Sequence, residues 1–189
     1  METKKEIKYL NSFKAETSAV TEVIANLVDN LKKAGYPTKE SDEIIISMDE
    51  SLTNAIQSTI KRNNESSAQT WDITVRYIIT ENDFEATIID HGSGINLLDT
   101  LTKTPQAASA CYYEQIKDYG KESDKNKLKL RVNGQEVCLS GIGAGLKIIL
   151  SFMDSITIDM IDRKTIVSSD ISGNTDGTIF NIKRKRRYH

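Results

Sequence analysis

The apolar positions change period several times along the chain, and each change marks an element. From Ser18 to Lys33, Val20, Val23, Ile24, Leu27, Val28 and Leu31 recur at spacings of three and four, which predicts an amphipathic helix. Gly35 supplies its C-terminal stop and Pro37 follows. A second helix is expected to start at a cap on Thr38 or Ser41 and to run to about Arg62, with Ile45, Met48, Leu52, Ala55, Ile56 and Ile60 as its apolar stripe. A third spans about Ala144 to Met153, with Leu146, Ile149, Leu150 and Met153 inward. Elsewhere the period falls to two. Residues 6–15 read as a first strand. Residues 71–80 and 84–90 read as a hairpin around Glu81-Asn82-Asp83, with Trp71, Ile73, Val75 and Tyr77 alternating in its first arm. Further strands are expected near 155–161, 164–170 and 177–184.

Between these segments lies a polar stretch, Ile95 to Ser140, with little periodicity and too long for a passive connection. It contains one clear local signal. Leu128 to Val132 and Gln135 to Leu139 flank Asn133-Gly134, the dipeptide that best fits a two-residue hairpin turn. That register sets Leu130 against Val137, Leu128 against Leu139 and Arg131 against Glu136, so the apolar pairs share one side. Taken together, the elements predict an α/β fold of two layers. A mixed, mostly antiparallel sheet carries three helices on one face, in one domain over residues 1–189.

Composition narrows the class. Hydrophobic residues make up 38% and charged residues 28% of the chain, as in a soluble globular domain. The formal net charge of -2 gives no overall field toward nucleic acid or a membrane surface, and neither is expected as a partner. No apolar run is long enough to span a bilayer and no signal peptide is seen; with only Cys111 and Cys138, this points to a reducing, cytoplasmic setting. Two histidines, His91 and His189, leave little for histidine-based metal or hydrolase chemistry. The basic run Lys183 to Arg187 reads either as a solvated strand end and tail or as a contact for an acidic partner or RNA.

Three polar clusters can carry chemistry. Glu50 and Asn54 lie about 40° apart on the second helix, pointing together away from the buried stripe. An amide oxygen can ligate magnesium, and a carboxylate beside it can orient or deprotonate a nucleophile. An exposed polar helix face has the same composition. Asp90-His91-Gly92-Ser93-Gly94 follows an apolar strand. A carboxylate there can accept a hydrogen bond from an exocyclic amine, with glycines that let the backbone approach a flat ring; a surface turn is the plainer use. Gly141, Gly143 and Gly145 run into the third helix, where free N–H groups and the positive dipole end favour phosphate; a hinge is equally served. No Gly-Lys-Ser/Thr follows, so this is not a P-loop, and no βαβ unit makes it a dinucleotide fingerprint.

In their order along the chain these segments resemble the Bergerat (GHKL) ATPases. Met48 to Ile56 resembles the N-box, Ile89 to Ile95 the first glycine box, Gly141 to Ile149 the second, and Asp176-Gly177-Thr178-Ile179-Phe180 the Gly-Thr element of the last strand. Within that superfamily the chain looks most like the stand-alone anti-sigma-factor serine/threonine kinases, whose N-box reads Glu-x-x-x-Asn-Ala and whose second box is followed by a segment similar to Phe152-Met153-Asp154. The resemblance implies ATP and Mg2+ as cofactors. It implies Asn54 as the magnesium ligand and Glu50 as the catalytic base or orienting group. Asp90 would bind the adenine amine, with Gly92, Gly94 and Thr178 shaping that end, and Gly141, Gly143 and Gly145 would form the phosphate segment. It also implies a protein partner, sigma-factor-like or an anti-anti-sigma-like antagonist, a possible homodimer, and a lid over 95–140. Three departures are visible. Ser58 stands where those kinases usually carry His, Gly141 where a basic residue is common, and the lid is longer than theirs.

Overall fold

The computed structural model describes residues 6–65, 70–92, 130–132, 135–136, 144–162, 165–166 and 176–187. Strand β1 (Ile7–Lys14) leads into helix α1 (Ser18–Lys33) and helix α2 (Thr38–Glu65). Strands β2 (Asp72–Ile79) and β3 (Asp83–Asp90) follow, then β4 (Leu130–Val132) and β5 (Gln135–Glu136), helix α3 (Ala144–Phe152), β6 (Ser155–Asp162), β7 (Thr165–Ile166) and β8 (Gly177–Lys185). α1 ends as its sequence requires. Gly35 adopts φ 70, its N–H reaches the Lys32 carbonyl, and the Tyr36 N–H reaches Leu31, which is a Schellman closure.

The sheet runs in the order β1-β2-β3-β8-β6-β4-β5, with β7 on β6. β1 through β3, β8 and β6 pair antiparallel, and β4 adds to β6 in parallel. The mixed, mostly antiparallel sheet with helices against it is therefore present. Among the described residues β8 does not pair with its sequence neighbour β7 but slots between β3 and β6. The Asn-Gly hairpin keeps the expected register, Arg131 opposite Glu136, and through β4 it becomes part of the main sheet. Its turn and the pairs Leu128–Leu139 and Leu130–Val137 lie outside the described residues, as do residues 95–129, 133–134 and 137–140 of the expected lid.

One face of the sheet is dry. Ile73, Val75, Tyr77 and Ile79 of β2, Phe84, Ala86 and Ile88 of β3, Ile156, Ile158 and Met160 of β6 and Ile182 of β8 are buried at alternate positions. They meet Ala19, Val23, Leu27 and Leu31 of α1, Ile44, Met48, Leu52, Ala55 and Ile56 of α2 and Ile149 and Leu150 of α3. Burying each such aliphatic side chain fully stabilises the fold by about 1.5–3 kcal/mol as an upper estimate. The stripe of α2 is rotated slightly from the expected one: Ile44 is buried, Ile45 and Ile60 only partly, and Ile46 is exposed.

The basic run is a solvated strand end only in part: Lys185 and Arg187 are exposed, while Arg184 is buried. Alternation carries Arg184 onto the same face as Ile182, where it is 1% exposed. Its guanidinium pairs with Glu43 of α2 and donates to the Phe152 carbonyl at the end of α3 at 2.6 Å. Arg187 pairs with Asp154 at 3.0 Å, Arg186 lies over the Tyr36 ring, and Lys183 faces Asp83 and Glu85 across the open side. The charges tie the last strand to both helices.

Candidate functional site

Asp90 is the last residue of β3, and the antiparallel register sets it directly opposite Thr178 near the start of β8. It is 6% exposed. Its Oδ1 accepts the Gly92 N–H at 2.8 Å, and its Oδ2 accepts the Thr178 hydroxyl in a short contact. Gly177 lies against the Asp90 carbonyl, where a side chain would collide with backbone. Burial pushes the Asp90 carboxyl above its ordinary range, opposed by the Thr178 and Gly92 hydrogen bonds and by the nearby His91 and Arg62. A carboxylate has about four acceptor sites, of which two are filled internally, so an exocyclic amine can still be accepted.

The second cluster sits further toward the start of α2. Glu50 is half-buried and Asn54 is exposed, on the side away from the core. Gly145, in the first turn of α3, packs directly on them. A Cβ added there would run into the Glu50 carboxylate and come within 3.6 Å of the Asn54 amide. The absence of a side chain at 145 thus brings a helix N-terminus, with its free N–H groups, against a carboxylate and the Asn54 side-chain amide. The donor set suits magnesium, which takes one or two protein oxygens and leaves its other positions to water and phosphate. Among the described residues no group of three or more His, Cys, Asp or Glu residues forms a denser metal site.

Between the two clusters, α2 continues the same face with Ser58 and Arg62. Gly92 lies so close to Ser58 that a Cβ would overlap the Ser58 hydroxymethyl. Ser58 stands where the resemblance leads one to expect His, and its hydroxymethyl lies against Gly92. Arg62 donates to the His91 carbonyl at 3.0 Å and pairs with Asp176 at 2.8 Å. The face Glu50–Asn54–Ser58–Arg62 follows from four-residue spacing, so the places of Ser58 and Arg62 were readable from the sequence; their contacts with His91, Gly92 and Asp176 were not. Gly94, Gly141 and Gly143 lie outside the described residues. A groove of about 470 Å³ bounded by Ala15 to Ser18, Ile60, Asn63 and Asn64 opens on another side of α2. It shares no residue with this constellation.

A two-layer domain in which a buried carboxylate closes one end of a helix face, and a carboxylate–amide pair under a second helix closes the other, has the layout of the GHKL ATPases. The chain belongs to the histidine kinase-like ATPase domain family, whose model matches residues 13–169. ATP is the nucleotide that this family implies. Among solved structures it is similar to a chain of the SiaB–SiaC complex from Pseudomonas aeruginosa, with a TM-score of 0.53 and 11% identity over 94% of this chain and 88% of that one, a likeness of fold. No curated protein matches the sequence.

Proposed function

We propose that the chain is an ATP-dependent serine/threonine protein kinase of the anti-sigma-factor type, acting on a protein partner. The observation that carries the reading is the seating of Gly145 on Glu50 and Asn54. It supports the reading because a candidate base, a candidate magnesium ligand and a helix N-terminus suited to phosphate then lie close together. Asn54 would hold Mg2+ through its amide oxygen, and the metal would neutralise phosphate charge. Glu50 would orient or accept the proton of a serine or threonine hydroxyl on the partner. Asp90 and Thr178 would hold the adenine, with the backbone at Gly92 beside them. Gly94, Gly141 and Gly143 are assigned to the same pocket by their motif positions. Phosphoryl transfer demands little beyond such positioning and electrostatics.

A protein partner is supported by the fold neighbour having been solved as a two-protein complex. The partner's class, sigma-factor-like or an anti-anti-sigma-like antagonist, rests on the sequence resemblance, and so does the cytoplasmic setting. Among the described residues no helix is long and apolar enough to cross a membrane. β1 is an outer strand, which offers an edge to a second copy.

A second reading is favoured by Ser58: a nucleotide-sensing adaptor that sequesters its partner without modifying it. Incubation with labelled ATP and candidate antagonist proteins separates the two. The kinase reading expects label on the antagonist that disappears in Glu50→Ala while ATP binding persists. Absence of transfer from the wild-type chain, with partner affinity still responding to ADP and ATP, would establish the adaptor instead.

A further inference from the structure

We infer that Arg62 is a positioning residue for base recognition, bracing from α2 the two backbone segments that carry Asp90 and Thr178. The inference rests on the reading of that pair as the adenine end of the site. One guanidinium reaches both segments. Its Nη1 donates to the His91 carbonyl at 3.0 Å and lies 3.4 Å from the Gly92 carbonyl, immediately after Asp90. Its Nη2 donates to Asp176 at 2.8 Å, two residues before Thr178. The guanidinium carbon also stands 5.4 Å from the centre of the Trp71 ring, and Trp71 stacks on His91 at 4.6 Å. Thr59 of the same helix accepts the His91 N–H at 3.3 Å. The turn leaving β3 is therefore clamped through its carbonyls, its one ring and its N–H, all from the end of α2 and the residue preceding β2.

The geometry requires arginine. A planar fork can satisfy two carbonyls and a carboxylate at fixed angles, whereas a lysine ammonium is a point charge on a flexible stem. The clamp determines where Gly92 sits, and the Gly92 N–H is one of the two groups that orient the Asp90 carboxylate. An oriented carboxylate distinguishes adenine, which presents an amine, from guanine, which presents a carbonyl oxygen at the equivalent ring position. Releasing the clamp should blur that distinction before it unfolds anything, because Arg62 and Asp176 are partly exposed.

The test is calorimetry of the full chain with Mg-ATP and Mg-GTP, comparing wild type, Arg62→Lys and Asp176→Asn, with urea unfolding of each. Wild type should prefer ATP. Arg62→Lys should lose about tenfold in ATP affinity, the cost of one misdirected buried hydrogen bond, with little change for GTP. The emission of Trp71, the single tryptophan, should shift as the cation leaves its face. Asp176→Asn should move the ATP-to-GTP ratio in the same direction with the fold intact. Equal weakening of both nucleotides, or a changed urea midpoint with an unchanged ratio, would overturn the role of Arg62. Binding of neither nucleotide by the wild-type chain would instead overturn the adenine reading on which it rests.

Discussion

Replacing Arg184 by Met tests whether the basic end of β8 is a structural strut. The side chain is 1% exposed and its partner Glu43 is 19% exposed. Met keeps most of the stem volume but removes the charge. It leaves the Glu43 carboxylate largely desolvated and the Phe152 carbonyl without its donor. Breaking one side of a buried ion pair costs about 3–5 kcal/mol, and the residual exposure of Glu43 favours the lower end, near 3. For a chain of this size that corresponds to a fall in Tm of roughly 6–12 °C. Urea unfolding at constant m measures it directly. The double variant Arg184→Met/Glu43→Leu should recover much of the loss, because no lone charge is then buried. A single-variant cost below about 1 kcal/mol, with the double variant simply additive, would refute the strut; coupled neighbours depart from additivity by about 0.5–3 kcal/mol.

ATP affinity should weaken on acidification at a pH above the ordinary carboxylate range, since burial raises the Asp90 pKa and a protonated carboxyl has lost acceptor capacity. The stability contribution of this group has the opposite sign. Its folded pKa lies above the unfolded one, so the contribution is fully present below the unfolded value and is lost as pH rises through the folded value. Calorimetry and urea unfolding across that window should therefore diverge, and affinity that is flat with pH would contradict the assignment. Gly145→Ala should leave the fold intact or stabilise it by up to about 0.5–1 kcal/mol, the usual helix gain. It should weaken Mg-ATP binding by pushing the N-terminus of α3 away from the α2 face that carries Asn54; unchanged affinity would mean that α3 does not seat phosphate there.

Much of the fold was legible because its signals are local. The three- and four-residue spacing of α1, the Gly35 stop and the Asn-Gly hairpin each depend on a few adjacent residues. The position of β8 was not, since pairing between β3 and β6 is decided by contacts across the whole chain. Arg184 shows an intermediate case. Period-two alternation through Thr178, Phe180, Ile182 and Arg184 already put it on the inner face, but a run of five cations outweighed that pattern in the reading of composition. The site divides the same way. Glu50, Asn54, Asp90, Gly92, Gly145 and Thr178 were each nameable from motifs. The crowding of Ser58 by Gly92 and the reach of Arg62 to Asp176 depend on close approach between distant segments.

The place of β8 also bears on when this protein becomes competent. Thr178 meets Asp90 across 88 positions of sequence, and Arg184 meets Glu43 across 141. During synthesis, the candidate adenine end stays incomplete until the last strand has left the ribosome and inserted between two strands made earlier. Such non-local closure is slow relative to helix formation. A nascent chain would hold formed helices and a half-built sheet while still blind to nucleotide, and added ATP would favour only the finished molecule, by mass action.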